Sequence, residues 1–138
     1  MAEREGPGLP TVSSIVLSAT VSPSEDPDKV LAAMRQVFGE CDCAVEMGEA
    51  SIRLTCSSSR CLQRLHDQLR DRHVRDTGRR LMLASLEGTR LPLRLNRQAA
   101  AAGVLALCSS AVESPLGPLN LEVESDSPQQ LIDWLTAH

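Results

Sequence analysis

Four segments of this chain alternate apolar and polar residues, and no other feature constrains its fold as strongly. They are 13–21, 51–56, 89–95 and 119–124, with an apolar side chain at every second position. Because successive side chains of a strand point to opposite faces, the pattern predicts strands buried on one face only. The exposed face is expected to carry Arg53, Arg90, Arg94, Asn120, Glu122 and Glu124.

Helical signals separate these strands. Asp26 is placed to cap a helix that begins at Pro27 and stops at Gly39, and Ser57 to Ser59 precede a long helical stretch. A second segment surrounds Leu81, Leu83 and Leu86, and Ser127-Pro128 start a last, capped helix. Residues 43–56 indicate a hairpin around Gly48-Glu49. Together the elements predict an α+β fold, a two-layer sandwich of a mostly antiparallel sheet with helices packed on one face.

The length of 138 residues corresponds to one domain. We expect residues 1–12 to form a flexible tail and residues 13–138 to form a single α+β domain. Phe38 and Trp134 are the only aromatic residues of the Phe, Trp and Tyr types, so the core must be aliphatic. The sequence has neither an apolar run of membrane-spanning length nor a signal peptide, which predicts a cytoplasmic protein without membrane attachment.

The chain has five cysteines, Cys41, Cys43, Cys56, Cys61 and Cys108. An odd number in a reducing cytosol argues against a disulfide framework. Zinc is the rival interpretation, but Cys56, Cys61 and His66 are five residues apart, which on a helix turns successive side chains about 140° away from each other. The cysteines are therefore expected to be small buried hydrophobes, with no metal and no cofactor.

Charge is distributed unevenly along the chain. Residues 53–97 hold eleven arginines against four acidic residues, a local charge of +7, although the whole chain carries −4. Clustered arginines attract phosphates, which favours RNA binding. The alternative is a solvated helical face whose charges are paired locally, because several acids lie three or four residues from an arginine. These pairs are Asp67–Arg70, Asp71–Arg75, Asp76–Arg79 and Asp76–Arg80.

The chain contains four short motifs in this order: "VSPSEDPDKV" (21–30), "LNRQAAAAGV" (95–104), "ESPLGPLNLEVE" (113–124) and "LIDWL" (131–135). Together they resemble a small archaeal family of uncharacterised proteins, whose usual versions read P-T-E-D-P, L-N-K-Q-A-A-x-x-G, S-P-L-G-P and I-D-W-L. Arg97 stands where that family usually has lysine. The resemblance implies a fold like that of the large-subunit ribosomal protein at the central protuberance, and hence a role in RNA binding, without catalytic residues.

The second motif predicts a tight corner made by Asn96, Arg97 and Gln98. Leu95 is expected to end a strand, Asn96 to cap the turn, and Val104 to start the next strand. Arg97 and Gln98 are then expected to project from the corner. Two interpretations stay open: a corner fixed by side-chain to backbone hydrogen bonds, or a contact with a ligand or RNA.

Two functional hypotheses from different classes follow. The first is a non-catalytic protein that binds structured RNA through arginine–phosphate contacts, since the scarcity of aromatic residues argues against stacking on single strands. The second is a homodimeric interaction module without nucleic-acid binding. No catalytic motif supports an enzyme. The arginines least offset by neighbouring acids, and hence the predicted RNA contacts, are Arg53, Arg60, Arg64, Arg90, Arg94 and Arg97.

Overall fold

A computed structural model describes residues 12–39, 41–71, 75–108 and 117–136, apart from the side chain of residue 71. It confirms the α+β class. The strands are β1 (Ser14–Thr20), β2 (Ala44–Met47), β3 (Ser51–Cys56), β4 (Arg90–Leu95) and β5 (Leu119–Glu124). The helices are α1 (Pro27–Phe38), α2 (Gln63–Asp71), α3 (Arg75–Ser85), α4 (Arg97–Ala101) and α5 (Pro128–Leu135), with a 3-10 helix at Ser59–Leu62.

The strands form one sheet in the order β2-β3-β1-β5-β4, and every neighbouring pair is antiparallel. β4 is therefore an edge strand, which is where Pro92 was expected because proline cannot donate a ladder hydrogen bond. The β2–β3 hairpin turns around Gly48-Glu49 as predicted. Most of the predicted tail lies outside the described residues, and Val12 packs against the core.

One sheet face is buried under the helices, and the other is open. The alternating apolar side chains of β1, β3, β4 and β5 are buried, together with apolar residues of the helices such as Met34, Leu65 and Leu131. Phe38 belongs to this core, and Trp134 stacks on His66 with 4.6 Å between ring centroids. Arg53, Arg94 and the other polar side chains predicted for the open face lie there, although Glu124 is half-buried.

Two of the predicted helix caps behave differently. The Asp26 carboxylate accepts a hydrogen bond from the Asp28 backbone N–H at 3.0 Å, and α1 ends at Gly39 with a positive φ of 66°. Ser127 occupies the N-cap position of α5, but its side chain makes no capping hydrogen bond. Its backbone N–H donates instead to the Ser125 hydroxyl at 3.1 Å, so the prediction of a side-chain cap at Ser127 is wrong.

The predicted corner after β4 is present, but Val104 does not begin a strand. The Asn96 side-chain oxygen accepts a hydrogen bond from the Ala99 backbone N–H at 2.8 Å, which caps α4. The Gln68 side chain then donates to the Gly103 carbonyl and accepts from the Leu105 backbone N–H, each at 2.8 Å. A helical side chain thus satisfies backbone groups that a strand partner would otherwise take. In the described part of this segment, an isolated bridge pairs Leu107 with Leu95 of β4.

The prediction against disulfides is also wrong. Cys41 is bonded to Cys61 and Cys43 to Cys56, with Cα atoms 5.4 Å and 5.0 Å apart, whereas Cys108 is buried and belongs to neither disulfide. The Cys43–Cys56 bond joins the residue before β2 to the end of β3, and the Cys41–Cys61 bond joins the segment before β2 to the 3-10 helix. The prediction depended on the odd number of cysteines and on an assumed reducing cytosol. The fold instead brings four of the sulfurs together.

Within the described ranges, no helix has the length and apolar character that crossing a membrane requires.

Candidate nucleic-acid interface

A row of polar residues crosses the open sheet face. The strand register places Arg53 opposite Ser18, Ser18 opposite Asn120, and Asn120 opposite Arg94. With neighbouring strands about 4.8 Å apart, the Cα atoms of the two arginines are separated by about 14 Å. We call these four residues the Arg53–Arg94 row. It presents two guanidinium groups with a serine and an asparagine between them.

The two arginines of the row have little charge compensation. In the described part of the chain, no side-chain hydrogen bond or ion pair involves the exposed guanidinium of Arg94. Arg53 reaches Glu46 at 4.0 Å, where both side chains are more than half exposed. Such surface pairs contribute little free energy, because both groups are well solvated. Both arginines are therefore available to an anion.

Arg90, a third predicted contact on the same face, is engaged by carboxylates. Its guanidinium contacts Glu87 at 2.6 Å and Glu122 at 3.4 Å. The hydrogen bond to Glu87 and the negative charges of Glu122 and Glu124 raise the pKa of Arg90 above its ordinary value. This end of the open face is acidic overall, so a phosphate is better placed at the Arg53–Arg94 row.

Arg60 and Arg64 lie in the helical layer, away from that row. Arg60 is exposed in the 3-10 helix. Arg64 donates from Nε to the Gln36 carbonyl at 2.6 Å and from Nη2 to the Gly103 carbonyl at 3.3 Å. Arg64 thus binds the last turn of α1 and the segment after α4, which commits much of its hydrogen-bonding capacity to the fold.

The expectation that Arg97 projects into solvent is wrong. Only 4% of the residue is exposed, and Nη1 donates to both carboxylate oxygens of Glu25, at 2.9 Å and 2.8 Å, and to the Thr20 carbonyl at 2.8 Å. Burial raises the pKa of Glu25, but hydrogen bonds from the Ser22 backbone N–H and from Arg97 outweigh this, and the pKa lies below its ordinary value. Gln98, by contrast, is exposed as expected.

Three of the sequence motifs meet at Arg97. Glu25 belongs to the first, Arg97 to the second and Gly117 to the third, where a Cβ atom would lie 4.0 Å from Arg97 Nη2. Glu25 was not predicted as a functional residue, although its place in the motif "PSEDP" was a signal. Nε and Nη2 of Arg97 have no hydrogen-bond partner among the described residues. Arg97 is thus buried at the point where the three motifs meet.

The basic helices are partly paired, as the alternative interpretation expected. Asp67 and Arg70 are 3.7 Å apart. Arg79, however, pairs with Asp133 of α5 at 2.8 Å rather than with Asp76, so it joins two helices. The Asp71–Arg75 pair involves a side chain outside the described residues. Paired arginines of this kind offer less to a phosphate than Arg53 and Arg94 do.

Comparisons with known proteins find relatives that match most of the chain. A family model described as RNA binding matches residues 14–114. A UPF0201 protein of Sulfurisphaera tokodaii is 36% identical over 127 residues, covering 91% of this chain and 88% of that protein. Another, from Sulfolobus acidocaldarius, is 34% identical over 128 residues, with 91% and 88% covered.

Solved structures share the fold. An uncharacterised UPF0201 protein superimposes with a TM-score of 0.70 at 26% identity, over 82% of this chain and 83% of that one. The UPF0201 protein of Methanococcus jannaschii gives 0.74 at 18% identity, over 91% and 93%. The extent of the family match and the identity to these relatives lead to one conclusion: the chain belongs to the UPF0201 family of archaeal proteins.

Proposed function

We propose that this protein binds structured RNA through arginine–phosphate contacts on its open sheet face, without a catalytic role. The observation that carries the proposal is the Arg53–Arg94 row, in which two exposed arginines with little charge compensation stand about 14 Å apart across four strands. The description of the matching family model as RNA binding supports it at the level of the family.

The chemistry of the row favours a folded RNA over a single strand. Double-stranded RNA is recognised mainly by its shape, through phosphates and 2′-hydroxyls along its wide, shallow minor groove. The two guanidinium groups suit phosphates, and Ser18 and Asn120 between them suit hydroxyls. Single-strand binding depends on stacked aromatic side chains. Phe38 is buried and Trp134 is already stacked on His66.

Arg60 and Arg64 remain predicted contacts in a secondary position, because they lie in the helical layer. Arg90 and Arg97 are the weakest of the predicted contacts, since carboxylates engage the first and burial encloses the second. The likeness to the ribosomal protein of the central protuberance, which the motifs implied, is part of this proposal. The exposed polar face of the sheet is consistent with this likeness.

The proposal is tested by titrating hairpin and duplex RNA with the full chain at several salt concentrations. We expect Arg53→Ala and Arg94→Ala each to weaken binding to all sequences alike and to lower the salt slope by about one unit. Arg35→Ala is the matched control, because it removes the same charge from an exposed position of α1 in the helical layer. The absence of binding at low salt, or equal losses in all three variants, would contradict the proposal.

A homodimeric interaction module without RNA binding is the second candidate. The observation that favours it is the edge strand β2, where Met47 is 52% exposed and the outer backbone groups have no strand partner among the described residues. Exposed strand edges readily add a strand from another chain. Light scattering at micromolar concentration should give twice the chain mass of 14.9 kDa, and the chain mass itself would reject the dimer.

A further inference from the structure

Four cysteines converge where the β2–β3 hairpin meets the 3-10 helix. Cys41 and Cys43 precede β2, Cys56 ends β3, and Cys61 lies in the 3-10 helix. The Sγ atoms of Cys43, Cys56 and Cys61 all lie within 4.8 Å of one another. The fourth sulfur, that of Cys41, is adjacent because it is bonded to Cys61.

The four sulfurs lie close enough for a tetrahedral metal centre once reduction has broken the two disulfides and the bonded pairs have moved apart. Zinc binds thiolates at about 2.3 Å, which places the sulfurs of a four-cysteine site about 3.8 Å apart. The helical spacing argument against zinc fails here, because Cys56 is in a strand and only Cys61 is in a helical turn. Cys56 and Cys61 are 5% and 1% exposed, so the centre would be shielded from water on one side.

We propose that the reduced chain binds one Zn²⁺ through the thiolates of Cys41, Cys43, Cys56 and Cys61. The four-residue gap between Cys56 and Cys61 is of the usual length for a zinc ligand pair, and the one-residue gap between Cys41 and Cys43 is shorter. Four protein ligands leave no open position on the metal, so the site is structural. It holds the hairpin to the 3-10 helix, as the Cys41–Cys61 disulfide does.

The disulfide and zinc forms are linked by a balanced exchange. Each disulfide takes two electrons and two protons from a dithiol reductant, which is itself oxidised to a disulfide. The four cysteine thiols then lose their protons, and their thiolates bind Zn²⁺. The resulting centre carries a charge of −2. Arg60 and Arg64 line the groove that contains Cys41, but Asp42 and Asp67 line it as well, so the groove offsets little of this charge.

Cobalt provides a direct test. The full chain is reduced with dithiothreitol, desalted under argon and titrated with Co²⁺, which replaces zinc and has a characteristic visible absorption in a tetrahedral thiolate site. We expect one equivalent to bind, Zn²⁺ to displace it, and alkylation of the four cysteines to be blocked. Cys56→Ser should weaken metal binding by more than the roughly 10–100-fold that loss of an outer-shell partner costs.

Cys108→Ser is the matched control, because this cysteine lies outside the cluster and should leave the stoichiometry and the spectrum unchanged. Circular dichroism of the reduced, metal-free chain establishes that it is folded before titration. A folded, reduced wild-type chain that gives no tetrahedral cobalt spectrum would overturn the proposal. So would a spectrum that persists at full intensity in Cys56→Ser.

Discussion

At the scale of single residues, the buried pair of Arg97 and Glu25 is the most consequential feature. The side chains are 5% and 11% exposed, and the pair joins the start of α4 to the segment before α1. Two buried charges that face each other stabilise a fold little compared with an apolar pair, because both lose their hydration. Removal of one partner is different, since the other charge is then buried without compensation.

We therefore expect Glu25→Gln to destabilise the protein by about 3–5 kcal/mol near neutral pH, as for other broken buried pairs. The double variant Glu25→Leu with Arg97→Met should recover more than half of this loss, because it leaves no buried charge. Urea denaturation of the single and double variants measures both effects. A double variant that is as unstable as Glu25→Gln would show that the charge itself is not the cause.

The same pair predicts a dependence of stability on pH. Because the pKa of Glu25 is lower in the folded chain than its ordinary value of 4.5, its ionised form stabilises the fold. This contribution is complete above the ordinary value and is lost as the pH falls through the lower, folded pKa. The difference in unfolding free energy between wild type and Glu25→Gln should thus shrink as the pH falls below 4.5. A difference that is constant from pH 7 to pH 3 would contradict this assignment.

At the scale of secondary-structure elements, helix starts that look alike in the sequence differ in how they are capped. The Asn96 side chain caps α4 through a hydrogen bond to Ala99, whereas the Ser127 side chain makes no such bond at α5. The backbone carbonyl of Asn96 also accepts from Ala100 at 3.1 Å. Residue type identifies a cap position, but the backbone dihedrals decide whether the side chain can reach the helix.

Asn96→Ala should therefore cost about 1 kcal/mol of stability, the usual value of a lost N-cap. Ser127→Ala should change stability by less than about 0.5 kcal/mol, because no cap bond is lost. Thermal unfolding of the two variants under the same conditions provides the comparison. Equal destabilisation by both substitutions would mean that the Asn96 cap bond contributes nothing specific.

At the scale of the whole molecule, two disulfides constrain a chain with an aliphatic core. Their loops span 20 and 13 residues and are nested, so the second bond removes less chain entropy than it would alone. We expect reduction in the presence of a chelator to lower stability by at least about 3 kcal/mol, and the melting temperature by about 6–12 °C. Cys108→Ser should show the same sensitivity to reductant. A melting temperature that reduction leaves unchanged would argue against both bonds.

The sequence by itself located four strands and the first helix. Alternation in 13–21, 51–56, 89–95 and 119–124 located β1, β3, β4 and β5, since one sheet face had to be buried and the period of two is local. Asp26 and Gly39 predicted the two ends of α1, because capping signals are also local and act within one helical turn. The open-face positions of Arg53 and Arg94 followed directly from strand parity.

Only the tertiary structure decided which distant residues meet. Arg97 pairs with Glu25, which is 72 residues away in the sequence, and Arg79 pairs with Asp133 rather than with Asp76. Packing brings together side chains that are far apart in the sequence. The four clustered cysteines and the Arg53–Arg94 row depend in the same way on strand order, which alternation does not specify. The alternation of apolar and polar residues indicates which face of each strand is buried. Contacts between elements depend instead on how the strands and helices are arranged in the fold.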